Sequence, residues 1–284
     1  MQLLASAASD PIQGTIWSLM KRATVSRSLM LAQIRSITTL TGIEGPHNLQ
    51  VSPDGKTVWA VSGHDLMAVQ IDATTYALLG TVSTGSHPAH IILSLDGKYA
   101  YVTNANDNTV TVIDAASMKS VATIPVGEFP HGLRPSPDGR WIYVANVNSG
   151  TLSVIDNAAN NKVADIEVGQ RPVQVAFSPD SKYVYFSLNG ENTLGKVDVA
   201  SRKLVGKVDV GVGPVQVFVT PDNHSVLVAN QGTETNPSTT LSIVDTTTLQ
   251  LFARLRPVRE RMVLWLSLQV DTPMSPISMG TTSP

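Results

Sequence analysis

The chain has 284 residues, a formal net charge of -2 and only 15% charged residues, and it contains 20 glycines and 17 prolines. Together with many Val, Thr and Ser residues, this composition favours short strands joined by tight turns, so we expect an all-β fold. The near-neutral charge and the absence of a Lys/Arg run argue against a nucleic-acid partner. Because the sequence has no cysteine, disulfides, thiolate metal sites and cysteine nucleophiles are excluded.

Residues 1–36 come first in chain order and stay unassigned. Ala5 to Ala8 is a run of small residues, but no positively charged stretch precedes it and the apolar stretch is short, so we find no convincing signal peptide. The chain has no apolar segment long enough to span a bilayer, which predicts no membrane span. Ser36 to Gly42 resembles the closing strand of the repeat that follows.

Residues 37–255 contain about five copies of a 42-residue repeat. Two series of aspartates and one series of glycines recur at this spacing. The first series is Asp54, Asp96, Asp138, Asp180 and Asp222, the second is Asp72, Asp114, Asp156 and Asp198, and the glycines are Gly85, Gly127, Gly169 and Gly211. Asp245 arrives five residues late because residues 233–240 contain an insertion. Three different markers with one period indicate a structural repeat.

Each copy has four segments typical of β-strands. In the third copy they are His131 to Ser136, Trp141 to Asn146, Thr151 to Ile155 and Val163 to Val168, separated by turn sequences such as Pro137-Asp138-Gly139. These segments predict a four-stranded antiparallel meander. A single such sheet cannot cover both of its faces, so the copies must stack, and four-stranded units of this length stack as the blades of a β-propeller.

The strand sequences resemble those of the YVTN family. Tyr101 to Asn104 reads YVTN, Thr109 to Asp114 reads TVTVID, Ala122 to Gly127 reads ATIPVG, and Tyr143 to Asn146 is the variant YVAN. Over about three quarters of its length the chain is similar to YVTN-repeat propellers of the YncE-like and cytochrome d1 haem-domain-like kinds. The resemblance implies a ring of typically seven blades, of which about five are intact here, and a periplasmic or extracellular location.

The repeat ends after Leu255, and residues 256–284 form an aberrant tail. In a shifted reading frame the codons of Met262 and Val263 must spell Gly, and those from Gln269 to Ile277 permit GRYAYVTN in the phase of the repeat. We therefore hypothesise that the tail is the product of a frameshift that interrupts a longer propeller. A variable C-terminal extension is the alternative, and the DNA sequence across these codons distinguishes the two.

The loops that lead into the innermost strands carry proline and, in three copies, histidine. They are Gly45-Pro46-His47, His87-Pro88-Ala89-His90, Phe129-Pro130-His131, Arg171-Pro172-Val173 and Gly213-Pro214-Val215. We expect these loops to converge on one face at the central channel, where His47, His90 and His131 are candidate ligands of a metal ion or a haem. The d1-type relatives bind haem through histidine. The simpler interpretation is that Pro and Gly shape the turns and that the histidines are exposed polar residues.

The repeated aspartates and asparagines are not expected to be catalytic, because a catalytic group is needed once and not in every blade. Asp114 and Asp156 are more simply turn acceptors for backbone N–H groups, and Asn104 has the same interpretation. Trp59 and Trp141 are expected at equivalent strand positions, where they fill space between blades.

The sequence favours a non-catalytic binding or scaffold protein whose channel-face loops engage a protein, a glycan or a small ligand. No Gly-x-Ser-x-Gly elbow, metalloprotease helix, P-loop or dinucleotide fingerprint supports an enzyme, so we predict no catalytic residue. Two alternatives stay open. One is a haem- or metal-binding redox or hydrolytic, lactonase-like propeller that uses the three histidines, and the other is a truncated product without a function of its own.

Overall fold

The computed structural model describes residues 39–255, and these residues form five four-stranded antiparallel sheets and no helix. In every sheet the strands lie side by side in chain order. The predicted all-β fold and the five predicted blades are therefore confirmed. Since this part of the chain is all strand and loop, it holds no helix long and apolar enough to cross a membrane.

The twenty strands divide evenly among the blades. The first blade contains β1 (Pro46–Val51), β2 (Thr57–Ser62), β3 (Met67–Asp72) and β4 (Leu78–Ser83). The second contains β5 (Pro88–Leu93), β6 (Tyr99–Asn104), β7 (Thr109–Asp114) and β8 (Lys119–Pro125). The third contains β9 (Pro130–Pro135), β10 (Trp141–Asn146), β11 (Thr151–Asp156) and β12 (Asn161–Glu167), and the fourth contains β13 (Pro172–Phe177), β14 (Tyr183–Leu188), β15 (Thr193–Asp198) and β16 (Lys203–Asp209). The fifth contains β17 (Pro214–Val219), β18 (Ser225–Gly232), β19 (Pro237–Asp245) and β20 (Leu251–Leu255).

Both aspartate series are turn acceptors. In the third blade, Ser136 Oγ donates to Asp138 Oδ1 at 2.5 Å, and the same carboxylate accepts from Arg140 N at 3.1 Å. In the turn between β11 and β12, Asp156 Oδ1 accepts from the backbone N–H groups of Ala158 and Ala159 at 2.9 and 3.0 Å. A short polar side chain that binds its own turn explains why the series recurs in every blade.

The asparagine of the YVTN-like strands ties the second strand of a blade to the third. Asn146 Nδ2 donates to Thr151 Oγ1 at 3.0 Å and to Ser153 Oγ at 2.9 Å. Three members of the glycine series follow from the same contact. A Cβ on Gly127 would lie 2.7 Å from Asn146 Nδ2, and Gly85 and Gly211 approach an asparagine in the same way, whereas Gly169 approaches Glu191. Only a residue without a side chain fits at that approach.

Trp59 and Trp141 do not occupy equivalent positions, so this prediction was wrong. Trp59 is fully buried on β2 and pairs with Gln70, and its counterpart on β10 is Tyr143, which is also fully buried. Trp141 lies two residues earlier, at the start of β10, where it is partly exposed beneath the guanidinium groups of Arg140 and Arg202. The two positions share a face of the strand, because side chains alternate with period two.

Adjacent blades pack through their innermost strands and through apolar faces between them. Within residues 39–255, the first and fifth innermost strands make no comparable contact, so the blades form an open arc. The outward face of the fifth blade is accordingly less covered. Phe218 and Leu227 are half-buried there, whereas their fourth-blade counterparts Ala176 and Tyr185 are buried.

Residues 39–45, which precede β1, contain no strand, although Leu40 and Ile43 pack against the first blade. The predictions for residues 1–36 and for the tail at residues 256–284, including the frameshift, lie outside the described residues.

Candidate functional site

Each loop at the channel end makes the same backbone turn before its innermost strand. The residue before the strand's proline has a φ between 54° and 63° in all of the loops. These residues are Gly45, His87, Phe129, Arg171 and Gly213. The turn thus tolerates His, Phe and Arg in a conformation that favours glycine, which shows that the surrounding hydrogen bonds hold it firmly.

A β-bulge follows the proline in the first four innermost strands. Pro46 pairs with Ser62 and Leu49 pairs with Ala60, so two residues, His47 and Asn48, lie opposite one residue of β2. The same shift separates Pro88 from Ile91 in the second blade. A bulge re-aims side chains relative to the regular pleat. The three candidate histidines all lie in these bulges.

The structure brings His47, His90 and His131 together at the channel. The ring centroid of His47 lies 5.3 Å from that of His90 and 5.4 Å from that of His131, and the His90 and His131 centroids are 4.5 Å apart. One ring nitrogen of each histidine lies within 4.8 Å of the others. Within residues 39–255, no other group of three or more His, Cys, Asp or Glu side chains is close enough to share a metal ion.

Backbone carbonyls of the following blade fix two of the imidazoles. His47 Nδ1 lies 2.8 Å from Ala89 O, and His131 Nδ1 lies 3.2 Å from Val173 O. A carbonyl oxygen only accepts, so Nδ1 carries the proton in both rings, and Nε2 has the lone pair when the ring is neutral. The same contact occurs twice because both histidines occupy the same position of the repeat.

His90 is the most enclosed member of the cluster, with only 1% of its surface exposed, whereas His47 and His131 are half-buried. Burial lowers the pKa of His90 well below its usual value of 6.5, and the neighbouring His131 and His47 imidazoles and the Arg134 guanidinium lower it further. His90 is therefore neutral at neutral pH, because a charged ring would lose its hydration there.

Thr103, the threonine of the YVTN sequence, links the second and third blades beside the cluster. Its hydroxyl accepts from His90 N at 3.0 Å and donates to His131 O at 2.8 Å. It thus binds an amide that the bulge removes from the strand ladder. Neither Thr103 nor Asn48, whose Oδ1 accepts from Ile91 N at 2.9 Å, was predicted as part of the site. The repetition of the hydroxyl at Ser187 is the only sequence signal for it.

The innermost strands of the fourth and fifth blades carry valine and glutamine after the proline, where each of the first three blades carries one histidine. Val173 and Gln174 occupy the bulge of the fourth blade, and Gln174 Nε2 donates to Gln216 Oε1 of the fifth at 3.4 Å. Gly132 makes room for this amide, since a Cβ there would collide with Gln174 and lie 2.5 Å from Val173 O. The channel wall is therefore divided into an imidazole side and an amide side.

A cleft of about 600 Å³ opens between the third and fourth blades at the same end. Asn148, Ser149, Gln170 and Arg171 are among the residues that line it. All four belong to loops at the channel end, and their side chains offer donors and acceptors. The Arg171 guanidinium and the Glu167 carboxylate are the charged groups of the lining. The cleft gives the channel-face loops a concave surface as well as an edge.

These features define the chain as a β-propeller repeat protein. Residues 95–203 match the sequence model of the YNCE-like beta-propeller family, and residues 23–123 match that of the lactonases with a 7-bladed beta-propeller. The predicted resemblance to YncE-like propellers is confirmed by these matches. No curated protein matches the chain.

Two solved structures show the same fold. The Kuenenia stuttgartiensis hydrazine synthase is 27% identical with a TM-score of 0.69, and the match covers 79% of this chain and 70% of that chain. A functionally unknown protein from Desulfotomaculum acetoxidans DSM 771 is 16% identical with a TM-score of 0.64, covering 76% of this chain and 73% of that chain. The second likeness concerns the fold alone.

Proposed function

We propose that the chain is a non-catalytic binding scaffold whose channel-face loops engage a protein, a glycan or a small ligand. One observation carries this proposal. The five loops share a backbone turn and lie at one end of the arc, yet they present different side chains, such as His87, Phe129 and Arg171 at one equivalent position. A constant framework with variable loop tips is how rigid scaffolds carry binding sites.

The chemistry of the acidic residues agrees with a binding role. The repeated aspartates, such as Asp138 and Asp156, are engaged in turn hydrogen bonds. Among residues 39–255, no Asp or Glu oxygen belongs to the group that the three histidines form, whereas a carboxylate often orients or activates a catalytic histidine. We place this function outside the cytoplasm, in the periplasm or at the cell surface, because propellers of this kind are often found there.

The test is a binding screen followed by mapping of the contact surface. The full chain is screened against arrays of glycans and peptides, and any ligand is then mapped by hydrogen exchange. We expect protection in the loops that precede β1, β5, β9, β13 and β17. The matched control is the opposite end of the same blades, where the turns at Asp96, Asp138 and Asp180 should show no protection.

Protection confined to those opposite turns would overturn the assignment of the surface. Failure of every glycan and peptide class to bind would overturn the binding role itself. Substitution of Arg171 by Ala, in a loop that lines the cleft, should weaken a ligand held at the channel end and leave the fold intact, since this side chain is exposed.

A second candidate is a lactonase-like hydrolytic or a redox propeller. It is favoured by the match of residues 23–123 to the lactonase model together with the clustering of His47, His90 and His131. Hydrolysis of simple γ- and δ-lactones, or a Soret band after haem titration, that disappears in His131→Val would support this candidate. Inactive, haem-free protein that still binds a glycan or peptide would support the scaffold instead.

A further inference from the structure

The three channel histidines have the arrangement of a metal-binding site. His47 and His131 come from the same position in two blades, and His90 comes from the blade between them, so three separate strands present the rings to one point. Rigid strands hold such ligands more firmly than loops do. The potential ligand atoms all lie within 4.8 Å of one another, so small rotations of the side chains would bring them into contact with one ion.

The hydrogen bonds of the cluster are those that a metal site requires. A ligating histidine donates its other ring N–H to a carbonyl or carboxylate, which fixes the tautomer and aims the lone pair. His47 Nδ1 and His131 Nδ1 do this with Ala89 O and Val173 O, so both rings present Nε2. His90 supplies the third imidazole from the most enclosed part of the cluster, with only 1% of its surface exposed.

The chemistry of the donors selects the ion. Three imidazole nitrogens suit Zn²⁺, Cu²⁺ and Ni²⁺, whereas Ca²⁺ and Mg²⁺ require oxygen ligands. Three protein ligands leave a fourth position of a tetrahedral ion for water or another ligand. His47 and His131 are only half-buried, so the cluster is not fully enclosed.

We propose that His47, His90 and His131 together bind one divalent transition-metal ion of the zinc class, with its remaining coordination position facing the channel. This inference rests on the proposed binding function and names the ligand class of one part of the same channel end. It assigns no reaction to the ion.

The repeat itself supplies conservative variants for the test. His47→Ala introduces the residue that stands at the equivalent position in the second blade, Ala89, and His131→Val introduces that of the fourth, Val173. Because neighbouring blades fold with these residues, the variants should keep the fold, which circular dichroism checks. The matched control is the removal of the other three histidines of the chain, His64, His87 and His224, which lie outside the cluster.

Untagged full-length protein is stripped with EDTA and titrated with Zn²⁺ by calorimetry, and Co²⁺ is used as an absorbing substitute. We expect one Zn²⁺ per chain, no competition by Ca²⁺ or Mg²⁺, and tetrahedral Co²⁺ absorption. Each cluster variant should raise the Kd at least ~10-fold, because it removes a ligand. The triple control should bind zinc as the unaltered chain does.

Absence of saturable zinc binding, or binding that survives His47→Ala and His131→Val but is lost in the control, would overturn the metal site. The two proposals fail in different ways. If the chain binds no zinc but a glycan or peptide protects the channel end, the scaffold role stands and the metal site fails. If the chain binds zinc but no glycan or peptide, the metal site stands and the scaffold role fails.

Discussion

The third and fourth blades have the same strand register and the same turns, but they present different chemistry. Tyr143 pairs with Val154 in one, and Tyr185 pairs with Lys196 at the equivalent point of the other. His131 lies in the bulge of the third blade, and Val173 lies in that of the fourth. The difference teaches that local turn residues build a blade independently of what the blade shows to the channel.

The interiors of the two blades differ in the same way. Asn146 joins the hydroxyls of Thr151 and Ser153 in the third blade. The fourth blade has Leu188 in place of this asparagine, and the hydroxyl of Thr193, the counterpart of Thr151, is buried without a hydrogen-bond partner. The apolar core of the fourth blade therefore replaces the polar link of the third. At this point each blade keeps one buried polar atom without a hydrogen-bond partner, Asn146 Oδ1 in the third and Thr193 Oγ1 in the fourth.

The largest effect is expected from the apolar cores between neighbouring blades, where Leu133 packs between the second and third and Val175 between the third and fourth. Leu133 is fully buried on β9, and its counterpart Val175 is fully buried on β13. Leu133→Ala should lower the free energy of unfolding by about 2–5 kcal/mol, because it leaves a cavity between the second and third blades. Val175→Ala should cost less, because it removes fewer carbon atoms and leaves a smaller cavity.

Urea unfolding followed by circular dichroism measures both changes. Leu204→Ala is the control, since this side chain is exposed on the outermost strand of the fourth blade. A Leu133→Ala variant as stable as this control would refute the view that the blades are held by their common core.

A smaller effect is expected when the third blade is made to resemble the fourth. Asn146→Leu removes the two hydrogen bonds to Thr151 and Ser153. Each such bond contributes about 0.5–1.5 kcal/mol, so we expect a loss of about 1–3 kcal/mol in the free energy of unfolding. Asn148→Leu, at an exposed position of the following loop, is the matched control. Unchanged stability in Asn146→Leu would mean that the polar link contributes nothing beyond what Leu188 supplies.

The blades could be predicted closely because each element has a local cause. Asp138 and Gly139 specify a turn, and the strand at Trp141 to Asn146 was predicted with its observed bounds. The equivalence of Trp59 and Trp141 was wrong because two steps of the 42-residue repeat lead from Trp59 to Tyr143. Trp141 lies two residues earlier, on the same face of the strand, and similarity of residue type outweighed the spacing in that prediction.

The site could be predicted only in part. That His47, His90 and His131 face one channel followed from the repeat and the loops. The bulge that aims them, the carbonyl partners Ala89 and Val173 and the hydroxyl of Thr103 did not, because each is a contact between strands or blades. A sequence pattern gives the order of residues along a strand but no distance across the channel.

Acid should lower the free energy of unfolding through the imidazole side of the channel and not through the amide side. In the folded, EDTA-treated protein the pKa of His90 lies well below 6.5, owing first to burial and then to His131, His47 and Arg134, while in the unfolded chain it returns to the usual value. As the pH falls below about 6.5, the unfolded chain takes up a proton that the folded protein does not, so stability falls.

His90→Gln, which copies Gln174 of the fourth blade, should remove this contribution. Urea unfolding between pH 7.5 and about 5 measures this contribution. The turn aspartates do not interfere, because they lose their stabilising effect only at lower pH: the hydrogen bond from Ser94, for example, lowers the pKa of Asp96 from 3.8. Equal pH slopes for the unaltered chain and His90→Gln would show that His90 takes up its proton in the folded state, and that the imidazole side of the channel is more open to water than its burial indicates.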